Sequence, residues 1–333
     1  MTEGLYILFG LSVTLAVFGI PVGFAMLAGG IGYLLWSGQD IGLLTDQVAG
    51  RLYASYTLIA IPMFIFAANL MNASKITDRI VNVALYFFGR IPGGTAHANV
   101  MSSVVFSGMS GSAVADVAGP GRVMMEIMTR RGHYSPGFAG AVTAASATIG
   151  PIIPPSIPVV IYAVVSNASV GALFLGGIIP GIIMAGSMII VITLISIKRG
   201  YGKEEGIVFT NIKQTIFEAF LPMLMPVILL GGIYMGITTA TESASVAALY
   251  ALILATLAYR TITWKSFYDC TLTTIRESAG VAITIAGAFI ISFAIANEGL
   301  PFALADWLIS LELTPLMLMI SINLLFLLLG AFL

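Results

Sequence analysis

The sequence predicts an all-α polytopic membrane protein, and three observations carry that prediction. Of its 333 residues, 59% are hydrophobic and only 9% are charged, where soluble domains carry about 25% charged residues. The mean hydropathy is +1.03. From Gly137 to Ile197 there is no Asp, Glu, Lys, Arg or His, and since about 20 apolar residues cross the hydrocarbon core, that stretch alone holds two spans. The spans are predicted as helices because backbone facing lipid must satisfy its own hydrogen bonds.

In chain order, apolar segments run over 4–36, 54–73, 93–128, 137–165, 170–197, 216–236, 238–259, 278–297 and 313–333. The first is too long for one untilted span, and Pro21-Val22-Gly23 either kinks or divides it. The N-terminus, MTEGLYILFG, lacks the basic n-region and small-residue cleavage site of a signal peptide, so the run from Leu5 to Trp36 is expected to stay in the mature protein. Basic residues gather at Lys75, Arg79 and Arg90, at Arg130, Arg131 and His133, at Lys198, Arg199 and Lys203, and at Arg260, Lys265 and Arg276. The positive-inside rule makes these loops cytoplasmic. The uncharged loop at 166–169 then lies on the other side.

The stretches 75–90 and 263–277 are too polar to span and read as helices lying along the interface. Each precedes an apolar run broken by small or helix-disfavouring residues, SGMSGSA at 107–113 and ANEGLP at 296–301. A run that breaks in its middle and returns to the same side is a re-entrant hairpin. Two spans, an interfacial helix, a hairpin and a further span therefore occur twice, as in transporters built from two structural repeats. Counting spans places both hairpins on one face, whereas inverted repeats need opposite faces; either a span is miscounted or the repeats are not inverted.

The expected organisation is scaffold helices over 1–74, an interfacial arm over 75–92, a first hairpin and broken helix over 93–165, connecting and scaffold helices over 166–259, a second arm over 260–277, and over 278–333 a second hairpin with the start of a second broken helix.

The densest chemical signal is ASATIGPIIPPSIP at 145–158. Proline lacks an N–H and clashes with the carbonyl four residues earlier, so Pro151, Pro154, Pro155 and Pro158 with Gly150 interrupt the helix. Breaks of this kind sit near the midplane of transporters, where freed carbonyls coordinate Na⁺ and half-helix N-termini face anionic groups. A plain proline kink would account for one proline but not for four in so short a run.

The second signal is SGMSGSAVAD at 107–116, preceded by His97, Asn99, Ser102 and Ser103. Small residues permit close approach, and hydroxyl and backbone oxygens suit a hard cation. Asp116 is expected to cap the second arm or pack there rather than to ligate an ion. Arg122 and Glu126 have the spacing of a helical pair. Glu242 reads as a capping-box partner of Thr239, with an ion pair or a proton-carrying role as alternatives. Asn297 and Glu298 place polarity at the second tip, where Asn297 can equally be a C-cap.

Several classes are excluded. A net charge of −1 offers nothing to nucleic acid, and a single cysteine, Cys270, supports neither a disulfide framework nor a cysteine metal site. There is no Walker A sequence, nucleophile elbow or HExxH, so neither ATP hydrolysis nor hydrolase chemistry is expected. The chain is read as a transporter rather than an enzyme, without a cofactor.

GSAVADVAG at 111–119, TAASATIGPIIPPSIPVVIYA at 143–163, LFLGGIIPG at 173–181 and TATESASVAALYALI at 239–253 together resemble the large membrane subunit of the tripartite ATP-independent periplasmic (TRAP) transporters. The resemblance covers nearly the whole chain. It implies an elevator-type, sodium-driven importer of small organic anions such as C4-dicarboxylates, keto acids and sugar acids, in the bacterial inner membrane. It also implies two protein partners, a small membrane subunit of about four helices and a periplasmic binding protein. Carried onto this chain, the cation site comprises Ser110, Gly111 and Ser112 at the first tip with Gly150, Pro154 and Ser156 at the break, and substrate contacts fall to Ser107, Asn99 and Asn297.

Members of that family run longer, so ligands beyond Leu333 are expected to be missing and the chain is not expected to transport alone. Arg122, in GPGRV at 119–123, also departs from the pattern, which leads one to expect a small or apolar residue there. A stand-alone symporter of the divalent-anion type shares the hairpins but needs no binding protein; a membrane scaffold leaves the doubled hairpins and the proline-rich break without purpose.

Overall fold

A computed structural model describes residues 3–130, 134–201 and 212–332, and it is helical throughout its regular elements. The expected basic residues Arg131, His133 and Lys203 lie outside the described residues. In order, the helices are α1 Glu3–Val17, α2 Val22–Trp36, α3 Gly42–Thr45, α4 Arg51–Ala54, α5 Ala60–Ala73, α6 Ile76–Phe88, α7 Gly94–Ser110, α8 Ala113–Asp116, α9 Arg122–Arg130, α10 Pro136–Ala147, α11 Ile157–Ser166, α12 Val170–Arg199, α13 Ile212–Tyr234, α14 Ala240–Ile253, α15 Trp264–Asn297, α16 Leu300–Ser310 and α17 Pro315–Phe332. Among the described residues, five helical stretches are long and apolar enough to cross a membrane: Tyr56–Ala73, Val170–Arg199, Thr215–Tyr234, Ala240–Ala258 and Trp264–Asn297. The chain is an all-α polytopic membrane protein.

Residues 1–52 and 281–333 form one compact unit, and 53–280 form another. In the first unit, the long opening segment is divided rather than kinked. Gly19 at φ +88° and Pro21 end α1 and start α2, because proline presets the first turn of a helix while denying it a preceding partner. The two helices pack antiparallel: a Cβ on Gly29 would strike the Leu8 carbonyl and the Ser12 hydroxyl, so only glycine admits this approach. Leu5, Leu8, Tyr33 and Leu34 bury their side chains against Ile290 and Ala294 from the C-terminal half of α15.

The second unit holds the first hairpin and the proline-rich break. Helix α6 buries Ile76, Ile80, Val81, Ala84 and Leu85 on one face, and its opposite edge sends Arg79 to an ion pair with Glu218 of α13. The same guanidinium lies 4.0 Å from the centroid of the Tyr259 ring, a cation–π contact. Arm and hairpin are separate helices here because Gly89, Pro92 and Gly93, the last at φ +75°, interrupt the chain between them. No such interruption exists near residue 277. The arm expected over 260–277 instead runs unbroken into the following segment as the 34-residue α15, since no proline or glycine precedes Gly280 in it.

Candidate functional site

The first hairpin turns where α7 ends. Gly111 takes φ +61° and donates its N–H to the Ser107 carbonyl at 3.2 Å, closing the helix in the left-handed conformation that glycine adopts without a Cβ penalty. Ser112 then extends at φ −134°, ψ 122°, and its hydroxyl accepts from the Ala115 N–H at 3.3 Å. The N-cap is therefore Ser112; Asp116, expected to cap this arm or pack there, is packed and does not cap, since it sits one turn too far along for its carboxylate to reach the leading N–H groups.

The break repeats the arrangement. Ser156 extends at φ −129°, ψ 124° and accepts from the Val159 N–H at 3.3 Å, starting α11. Its own hydroxyl donates to the Pro151 carbonyl. The prolines at 154 and 158 remove the donors that a continuous helix would supply to the carbonyls of Gly150 and Pro154. Two helix starts capped by serine thus stand close together, because tip and break touch. The Ile157 N–H donates to the Gly111 carbonyl at 3.3 Å. A Cβ on Gly111 would collide with the Pro155 carbonyl oxygen, and one on Gly150 would lie 3.1 Å from the Ser112 carbonyl carbon. Ser110, fully buried beside them, has a hydroxyl with no hydrogen-bond partner among the described residues. The structure therefore brings Ser110, Gly111, Ser112, Gly150, Pro154 and Ser156 together at one place. Neutral oxygens dominate that set, the donor chemistry suited to a hard cation of low charge, and no cluster of three or more His, Cys, Asp or Glu side chains that could hold a metal occurs among the described residues.

Behind the tip, polar groups brace α7 against α10. Asn99 donates to the Thr143 hydroxyl at 2.8 Å, and Ser103 donates to the Ser146 hydroxyl at 3.1 Å. Ser107 donates back to the Ser103 carbonyl at 2.6 Å. Asn99 and Ser107 are both fully buried, so in this conformation two of the three residues expected to touch substrate act inside the helix packing. Asp116 is fully buried as well; Ser103 is its polar neighbour, yet neither carboxylate oxygen has a regular hydrogen bond. Asn72 joins the hairpin's second arm to the arm helix, donating to the Ala115 carbonyl at 3.4 Å and accepting from the Thr77 hydroxyl at 2.8 Å.

The residues expected to form a second tip, 296–301, belong to the other unit. Gly299 at φ +67° separates α15 from α16. Asn297 donates to the Tyr33 hydroxyl at 2.8 Å, and that hydroxyl donates to Glu298 at 2.9 Å. Asn297 is thus the last residue of α15, and its amide is held by a tyrosine of α2.

A family model described as "Tripartite ATP-independent periplasmic transporter, DctM component" matches residues 9–333. The chain belongs to the DctM family. Among its relatives, the sialic acid TRAP transporter large permease protein SiaM of Vibrio cholerae is 42% identical over 315 residues, covering 94% of this chain and 73% of the relative. The C4-dicarboxylate TRAP transporter large permease protein DctM of the same organism is 32% identical, covering 98% and 76%. The isethionate TRAP transporter permease protein DctMQ of Oleidesulfovibrio alaskensis is 34% identical, and there the chain covers 99% of itself but 52% of the relative. The DctM family is a family of transporter permeases, not of enzymes.

Other polar expectations divide. Thr239 and Glu242 form the full capping box, with the Thr239 N–H donating to the carboxylate at 2.7 Å and the Glu242 N–H to the Thr239 hydroxyl at 3.3 Å. Glu126 pairs with Arg130, not with Arg122; both partners offer four-residue spacing, and the C-terminal arginine gives the orientation a helix prefers. Tyr33 and Asn72 escaped sequence reasoning, because an aromatic or an amide inside an apolar run carries no periodic signal of a long-range partner.

Proposed function

We propose that this chain is the substrate-translocating large subunit of a Na⁺-driven TRAP transporter in a bacterial inner membrane, importing small organic anions handed over by a periplasmic binding protein and working with a small membrane subunit. The observation that carries the reading is the seat of the first hairpin tip in the proline-rich break, where serine hydroxyls and backbone carbonyls converge. Na⁺ would be held by Ser110, Gly111, Ser112, Gly150, Pro154 and Ser156. The two capped helix starts beside it present N–H groups and positive dipole ends, which favour an anion next to the cation. Cation and anion then each bind better with the other present, which is thermodynamic coupling. The two hairpins and broken helices would move as the carrying part of an elevator.

The relatives' printed substrates are sialic acid, C4-dicarboxylate and isethionate. Sialic acid and C4-dicarboxylates are carboxylates and isethionate is a sulfonate, so the shared requirement is a small anionic solute. The test is uptake of labelled sialic acid, succinate and isethionate by proteoliposomes holding the full-length protein with its small subunit. Uptake that requires both an inward Na⁺ gradient and the binding protein supports the proposal. Uptake with the gradient alone moves the chain to the stand-alone symporters, and absence of uptake with all three solutes under every combination removes the transport reading.

A further inference from the structure

The stretch Ala240–Ala258 gives way to α15 at Trp264, and two clefts flank the connection between them. A polar cleft of about 360 Å³ is lined by Asn69, Lys265, Ser266, Asp269 and Thr273. An apolar cleft of about 380 Å³ is lined by Leu252, Thr256, Ile262, Trp264 and Phe267. Thr263 lines both, so the two adjoin. Lys265 and Asp269 stand four residues apart on α15, the spacing at which helical charges pair, yet neither forms an ion pair among the described residues. The polar cleft therefore presents one cation and one anion, each open to a partner. Trp264 is 86% exposed and Tyr268 67% exposed, and with Arg260 beside them they place this end of α15 at the depth of lipid headgroups.

We propose that the adjoining clefts form a binding site for a phospholipid whose headgroup carries both a phosphate and a primary ammonium. The phosphate meets Lys265 and the Ser266 hydroxyl at the start of α15, the ammonium meets Asp269, and one acyl chain follows Trp264 and Phe267 into the apolar cleft. The balance of one positive and one negative side chain selects a zwitterion over a purely anionic lipid, and the carboxylate prefers a primary ammonium, which donates hydrogen bonds, over a quaternary one, which cannot.

Native mass spectrometry of the full-length protein with its small subunit, taken from mixed-lipid nanodiscs, counts retained phosphatidylethanolamine, phosphatidylglycerol and phosphatidylcholine. The expected result is retention of phosphatidylethanolamine about tenfold above the other two. Asp269→Asn abolishes the preference over phosphatidylcholine, Lys265→Gln lowers retention of every phospholipid, and Thr256→Trp lowers it by filling the apolar cleft without touching a charge. Soluble phosphoethanolamine competes weakly if the acyl cleft contributes. Equal retention of the three lipids, no change in both charge variants, displacement by phosphoethanolamine as effective as by lipid, or crosslinking of a Thr256→Cys protein to the small subunit through the groove would each overturn the site.

Discussion

The two glycine turns, at 110–112 and at 297–299, solve the same steric problem with opposite chemistry. At the first, the turn is made of Ser110, Gly111 and Ser112, almost nothing projects from it, and backbone meets backbone at Pro155 and Ile157. At the second, the turn carries Asn297 and Glu298, which project and are answered by the Tyr33 hydroxyl. The flanking helices follow suit: fourteen of the residues of α7 are buried, while α16 buries none and turns Phe302 and Ile309 outward. A tip stripped of side chains can press a cation against carbonyl oxygens. A tip held by side chains can be released when one hydrogen bond breaks.

The sharpest way to break this comparison is one substitution made at both turns. Gly111 and Gly299 have nearly the same left-handed φ, +61° and +67°, but a Cβ at 111 meets the Pro155 carbonyl and a Cβ at 299 meets nothing within 4 Å. Gly299→Ala should cost about 1–2 kcal/mol, the left-handed penalty alone. Gly111→Ala adds an overpacking term of about 1–3 kcal/mol and should abolish Na⁺-driven uptake. Thermal melts of both proteins decide it; equal losses would mean that tip and break are not in contact.

Next in size is Tyr33→Phe, which removes the hydroxyl shared by Asn297 and Glu298 and should cost about 1–2 kcal/mol. Hydrogen exchange at residues 294–300 should quicken while residues 107–113 stay protected. Matching changes at both tips would show that they do not behave as separate devices.

The smallest effect separates two neighbouring serines. Ser112→Ala loses the N-cap at about 1 kcal/mol and should weaken sodium dependence. Ser110→Ala loses no hydrogen bond, so its melting temperature should hold while half-saturation shifts to higher Na⁺. Unchanged sodium activation in both proteins would remove the cation from this tip.

Much of this was legible from residue types with hard local rules. Four prolines forced the break, Ser-Gly-Ser forced the turn, and Thr239 with Glu242 forced a capping box. What sequence could not rank were residues with two admissible partners. Glu126 had arginines on either side, and Asp116 had two roles open to it, capping and packing, while Ser112, the actual N-cap, was read only as a cation ligand. The interfacial arms looked alike in polarity, yet only the first has Gly89, Pro92 and Gly93 to detach it from its hairpin; α15 simply continues. Glycine and proline positions, rather than hydropathy, decide where one helix becomes two.

Dividing the opening segment in two also sets a length. Helix α2, bounded by Pro21 and Ser37, has 15 residues, so it rises about 22 Å at 1.5 Å per residue, beside a hydrocarbon core about 30 Å thick. It is about five residues of helix short of that thickness, and so does not belong with the five stretches long enough to cross. One glycine and one proline thus turn an apolar run longer than a single span into pieces of which α2, alone, cannot reach from one interface to the other.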